Sequence, residues 1–266
     1  MLNILIGRAK SGKSERILRQ IAETGDASRQ ILLVPEHASH QAEVDLCRVC
    51  GDTASRHAEV LSFRRLAARV LAVTGGAADV SLDAGGKLLT LQRSLTELSP
   101  VLKVYRRPSQ RAAFLEQLMG ALDELTSYAV SPEVLTAQVE DIPGGMGDKL
   151  RDLALIYADV SARLCRPGMD ARDRMSKLAD RLEESGYVDG KDVYLDGFSY
   201  FNGLERKVLS VLLRRAASVT VTLLGERGNR SEIFEASVRT CELLRRLAVE
   251  AGQKCELGFV TARDET

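Results

Sequence analysis

A chain of 266 residues, 45% of them hydrophobic, can bury a substantial core, and its Lys plus Arg equal its Asp plus Glu at 37 each. That balance excludes the broad basic field that drives non-specific nucleic-acid binding, so contact with nucleic acid needs a local patch or a partner chain. Five scattered cysteines do not make a disulfide framework, no apolar run is long enough to span a bilayer, and no leader precedes the first apolar stretch, so the expectation is a reduced, cytoplasmic protein.

Leu2 to Ile6 read as a short apolar strand, Gly7 to Ser14 (Gly-Arg-Ala-Lys-Ser-Gly-Lys-Ser) fit G-x-x-x-x-G-K-S, and Glu15 to Ile21 have helical spacing. A strand, a glycine-rich loop and a helix in that order form a phosphate-binding device. Gly7 and Gly12 let backbone N–H groups turn inward around a phosphate, and the new helix aims its positive end at the same anion. Lys13 would reach the β- and γ-phosphates of ATP and Ser14 would hold Mg²⁺. Gly25 to Ser28 supply a turn, and Gln30 to Val34 form a second, almost wholly apolar strand of the kind buried in a parallel sheet.

His37-x-x-His40 followed by Cys47-x-x-Cys50 superficially offers four zinc ligands. Ala38 to Cys50 reads as one helix, however, which separates the outer pair by about 20 Å of rise, too far for a tetrahedral site with bonds of ~2 Å. Ala58 to Phe63 are a third strand and Arg64 to Leu71 a helix, so strands and helices alternate. That alternation predicts an α/β layer with a mainly parallel sheet and ligand sites at the carboxyl ends of its strands.

After Leu82 the β-branched runs disappear. Helical patterns at Gly86–Leu98, Arg111–Ser127, Pro132–Val139, Gly147–Cys165 and Ala171–Ser185, broken by Pro108, Ser131-Pro132, Pro143-Gly144-Gly145 and Pro167-Gly168, predict an all-helical insertion. Its charges mix signs along each helix, as on a solvated face, and Tyr105-Arg106-Arg107 is a basic triplet that could meet a phosphate backbone. From Asp192 the α/β pattern resumes: a strand Val193–Asp196, a helix Leu204–Arg215, a strand Ser218–Leu224, a helix Ser231–Ala251, a final strand Lys254–Val260 and a polar tail. The expected division is therefore residues 1–84 and 191–266 for a P-loop-type α/β domain and 85–190 for the helical insertion. A P-loop needs a second carboxylate behind its Mg²⁺, and Asp196, at the end of an apolar strand, is placed to supply it.

Gly7 to Ser14, Leu33-Val34-Pro35-Glu36 with Gln41-Ala42-Glu43, Val60 to Ala67, Asp196-Gly197-Phe198 through Glu205, and Leu224-Gly225-Glu226 together resemble a superfamily 1 helicase motor. The set most resembles the amino-terminal part of the B subunit of the AddAB-type ATP-dependent helicase/nuclease. The resemblance implies ATP and Mg²⁺ as ligands, DNA and the A subunit of the heterodimer as partners, DNA-contacting roles for Arg64 and Arg65, and a phosphate-sensing role for Glu226. Gly197 stands where hydrolysing relatives carry a Glu that polarises the attacking water, Gly225 to Asn229 match the Gly-Asp-x-x-Gln phosphate sensor only loosely, and no upstream Gln precedes Gly7 to read adenine. The expected function is an ATP-binding, helicase-like domain of a DNA double-strand-break-processing subunit, poor in hydrolysis alone and a weak DNA binder by itself. A small-molecule P-loop kinase with a helical lid, and a non-enzymatic scaffold for DNA or a partner subunit, are the alternatives.

Overall fold

The computed structural model describes residues 1–25, 30–75, 82–106, 111–166, 169–170, 174–229 and 231–261. The expected turn at 26–28, Arg107, the breakers at Pro108 and Pro167-Gly168, the start of a helix at Ala171 and the tail from 262 onward lie outside them. The chain divides into two compact units, one made of Met1–Thr74, Leu178–Phe201 and Glu205–Thr266, the other of Gly75–Lys177 and Asn202–Leu204.

The first unit is an α/β layer. Its strands are β1 (Leu2–Gly7), β2 (Gln30–Leu33), β3 (Glu59–Leu61), β6 (Asp192–Leu195), β7 (Ser218–Leu224) and β8 (Cys255–Val260), the labels β4 and β5 belonging to Cys165–Arg166 and Met169–Asp170 of the second unit. They form one six-stranded sheet in the order β3-β2-β6-β7-β1-β8, and every pairing is parallel. Parallel neighbours need crossover connections, which the helices supply: α1 (Lys13–Thr24), α2 (Ser39–Cys50), α3 (Phe63–Thr74), α9 (Gly203–Arg215) and α10 (Glu235–Glu250). The P-loop-type α/β class expected from the alternation is the one found. Burial explains why the strands read as continuous apolar runs: every residue of β2 is buried, and so are Val219 to Leu223 of β7. One core cluster joins Leu5, Ile17, Leu18, Ile21, Leu32, Leu46 and Tyr194, so α1 and α2 cover the same face of the sheet.

Because the strands are parallel, the loops after β1, β2, β3, β6 and β7 leave the sheet at its carboxyl end. The loop from Arg8 to Gly12, Ser62 to Arg65, Asp196-Gly197 and Gly225 to Asn229 are thereby gathered there by topology.

The second unit is mostly helical, with α4 (Ala84–Leu98), α5 (Ala112–Ser127), α6 (Pro132–Val139), α7 (Gly144–Leu164) and the beginning of α8 (Arg174–Ser185). Leu91 and Leu95 of α4, Leu115, Leu118 and Leu122 of α5, and Ile156 and Val160 of α7 form its core. The insertion is not all helical: Cys165–Arg166 and Met169–Asp170 pair as a two-residue antiparallel ladder, too short to leave a period in the sequence. Helix α4 starts two residues earlier than its pattern indicates because the Asp83 carboxylate accepts the Gly86 N–H at 2.7 Å, an N-cap that carries the helix through Gly85-Gly86.

Candidate functional site

The loop between β1 and α1 closes tightly on itself. A Cβ on Gly7 would lie 2.4 Å from the Ser11 hydroxyl and 2.6 Å from the Val260 carbonyl, so only glycine fits. Gly12, at φ +85°, turns the chain into α1 through the left-handed region and contributes no capping side chain. The first N–H groups of α1 therefore have neither an intrahelical acceptor nor a capping side chain among the described residues, an arrangement that suits an anion.

Lys13 is the buried charge of this loop, 9% exposed, and its Nζ donates to the carbonyls of Gly7 at 2.8 Å and Arg8 at 2.7 Å. Burial holds its pKa below the ordinary lysine value, while the nearby Asp196 carboxylate pulls it the other way. The coupling follows from strand order. Asp196 leaves β6, Lys13 follows β1, and β7 lies between them. From β7 the Thr222 hydroxyl donates to the Asp196 carboxylate, and the Asp196 N–H continues the ladder to the Leu33 carbonyl at 3.0 Å. Ser14 is exposed on the first turn of α1.

Gly197 has φ +81°, a conformation that opposes any side chain, and its N–H approaches the Thr222 hydroxyl at 3.5 Å. The Gly225 N–H donates to the Gly7 carbonyl at 3.1 Å, which ties the loop after β7 to the P-loop. Glu226 faces Arg8 at 3.6 Å and accepts from the Asn229 amide at 2.9 Å. Beside the loop opens a cavity of about 900 Å³ whose walls include Lys10, Gly12, Arg16, Gln20, Val260 and Thr261.

The two arginines after β3 differ in their pairing. Arg65 pairs with Glu43 at 2.8 Å, whereas Arg64 is exposed and pairs with no carboxylate among the described residues. Tyr105 is held inside the helical unit, its N–H on the Asp152 carboxylate at 3.0 Å and its ring 5.4 Å from that of Phe114. His40, Cys47 and Cys50 sit on α2 with His37 in the short 3₁₀ turn before it, and among the described residues no group of three or more His, Cys, Asp or Glu is arranged to hold a metal.

The family described as ADDB, N-terminal matches residues 4–265 of this chain. The chain belongs to that family. It is 36% identical to the B subunit of the ATP-dependent helicase/deoxyribonuclease of Desulforudis audaxviator over 98% of its own length and 24% of the relative's. The protein of the same name from Moorella thermoacetica is 35% identical over 96% of the chain and 24% of the relative, and that of Pelotomaculum thermopropionicum is 38% identical over 85% and 20%. The chain thus spans about a quarter of the length of the curated relatives it matches.

Within this ADDB, N-terminal chain, two members of the constellation escaped the sequence reading. Thr222, 3% exposed, orients Asp196, and its signal was a hydroxyl recurring within an otherwise apolar strand, Val219-Thr220-Val221-Thr222-Leu223. Arg8, a variable position of the P-loop motif, meets Glu226, and nothing in the spacing of the two segments announces that pair.

Proposed function

We infer that this chain is the nucleotide-binding, motor-like part of a DNA-processing helicase/nuclease subunit, and that it binds Mg-ATP while turning it over negligibly. The observation that carries this reading is the convergence, at the carboxyl end of the sheet, of the uncapped N–H groups of α1, the buried Lys13 ammonium and the Thr222-oriented Asp196 carboxylate. Donors of this kind fit a polyphosphate, and a hydroxyl with a carboxylate fits a hard divalent cation. Gly12, Lys13 and Ser14 would hold the phosphates, with Ser14 and Asp196 on the Mg²⁺ side; the cation would neutralise the charge between β- and γ-phosphate oxygens.

Turnover is weak in this reading because position 197 carries no side chain to orient a water. Membership of a family whose relatives are named as the B subunit of an ATP-dependent helicase/deoxyribonuclease supports the motor-like reading over a small-molecule kinase. It also supports DNA and a partner subunit, the A subunit of the heterodimer, as what the whole protein engages. DNA binding by this neutral chain alone is expected to be weak and salt-sensitive, with Arg64 contributing more than Arg65.

Titration with a fluorescent ATP analogue tests the site. The parent should bind in Mg²⁺ and more weakly in EDTA, Asp196→Asn should lose most of that metal dependence, and Lys13→Ala should abolish binding. Unchanged binding by Lys13→Ala would place the nucleotide elsewhere.

A further inference from the structure

A second feature of the α/β unit lies away from the P-loop. Three arginines, Arg206 on α9 and Arg239 and Arg246 on α10, line a cleft of about 590 Å³ together with Tyr200, Phe201 and Thr240. Tyr200 is 69% exposed, while its neighbour Phe201 is 1% exposed and forms the fixed floor. The floor is rigid for identifiable reasons: the Phe201 ring lies 5.1 Å from that of Phe198 and 6.4 Å from that of Phe63, the Arg206 Nε donates to the Phe201 carbonyl at 2.9 Å, and the Thr240 hydroxyl donates to the Ser199 carbonyl at 2.8 Å.

The guanidiniums are available. Arg206 and Arg246 are exposed and pair with no carboxylate among the described residues, and Arg239 pairs only with the exposed Glu235 one turn away, a pair too weak to compete with a phosphate. Glu242 is the single acid on the walls, so the cleft is net cationic in a molecule whose overall charge is zero. Arg239 and Arg246 are seven residues apart on one helix face, about 10 Å along the axis, a spacing that suits successive phosphates of a polymer better than one small anion. An exposed phenol ring on a fixed support, beside guanidinium forks, is what a base needs for stacking.

We propose that this cleft holds a single strand of nucleic acid, with phosphates on Arg206, Arg239 and Arg246 and one base stacked on Tyr200. The proposal rests on the DNA-processing reading above and adds to it a contact separate from Arg64. The aromatic cluster joins the two: Phe63, against which Phe201 packs, is the residue immediately before Arg64.

The test is fluorescence anisotropy of a short labelled oligothymidylate against the 266-residue chain over a range of salt. The triple variant Arg206→Gln, Arg239→Gln, Arg246→Gln should reduce the slope of log affinity against log salt by about 2. Arg246→Gln alone should reduce it by about 0.7 and serves if the triple change loosens α10. Tyr200→Ala should weaken binding by roughly five- to hundredfold without altering the salt slope, and Tyr200→Phe should not weaken it. On an abasic strand of equal length Tyr200→Ala should bind like the parent.

If the parent binds and Arg64→Gln weakens it, while the cleft variants match the parent, the DNA reading stands and the cleft proposal is wrong. Polyglutamate competing as well as oligothymidylate would also overturn it, in favour of an acidic protein partner. No binding by the parent chain would remove both readings.

Discussion

Gly197 shows most plainly how much a single residue settles. The resemblance gives it as a position where hydrolysing motors carry an acid, and the structure adds that the backbone there sits at φ +81°, a conformation that favours glycine. Simply returning the carboxylate should therefore fail twice. Gly197→Glu is expected to cost about 1–2 kcal/mol of stability from the left-handed backbone, and to leave phosphate release at the parent's level; brisk hydrolysis by the variant would contradict this. Motif and context singled out Gly7, Gly12, Lys13 and Asp196, and the structure places them after β1 and β6, two strands of one parallel sheet. Their support was not legible in the sequence. Thr222 lies 26 residues from Asp196, and the Arg8–Glu226 pair spans most of the chain, so neither contact leaves a local signal.

At the scale of elements, strands read well and helix ends less well, for physical reasons. The six strands of the sheet are short apolar or β-branched runs, and each begins and ends within two residues of its pattern. Helix starts depend on caps: Ser131-Pro132 announces α6, whereas Asp83 before a glycine pair looks like a breaker and acts as a cap. Buried polar residues bind elements together in ways the pattern does not record. Asp152 of α7, 2% exposed, accepts the backbone N–H groups of Lys103 at 3.1 Å, Val104 at 2.7 Å and Tyr105 at 3.0 Å. Asp152→Ala should destabilise the helical unit by about 2–4 kcal/mol, read as a lower urea midpoint, because three donors lose a charged acceptor; a change within ~0.5 kcal/mol would mean the loop re-pairs with water.

In the α/β unit, Gln30 of β2 donates to the carbonyls of Ile21 at 3.0 Å and His57 at 2.9 Å and accepts from the Tyr194 hydroxyl at 3.2 Å. Burial pushes the Tyr194 phenol up to about 12 from an ordinary 10.0, so folding favours its protonated form. The stability it contributes is complete below the unfolded value and is lost as pH rises through the folded one. Alkaline melting curves should accordingly fall between about pH 10 and pH 12, and less steeply in Tyr194→Phe, with Tyr105 and Tyr187, also raised by burial, leaving a residual slope. Identical slopes for parent and variant would show that Tyr194 does not carry the effect.

For the molecule as a whole, zero net charge, a parallel sheet with its loops gathered at one end and a helical unit between the halves of the α/β sequence are in keeping with the nucleotide-binding reading proposed above. The most direct test of the central claim is the chemical state of nucleotide recovered from the chain. The protein is incubated with Mg²⁺ and γ-labelled ATP, separated from free nucleotide, and the bound fraction is analysed. Bound nucleotide recovered as ATP, with label retained, is the predicted result. Recovery as ADP with released phosphate would show an active hydrolase, and no bound nucleotide would show that the P-loop does not serve this purpose.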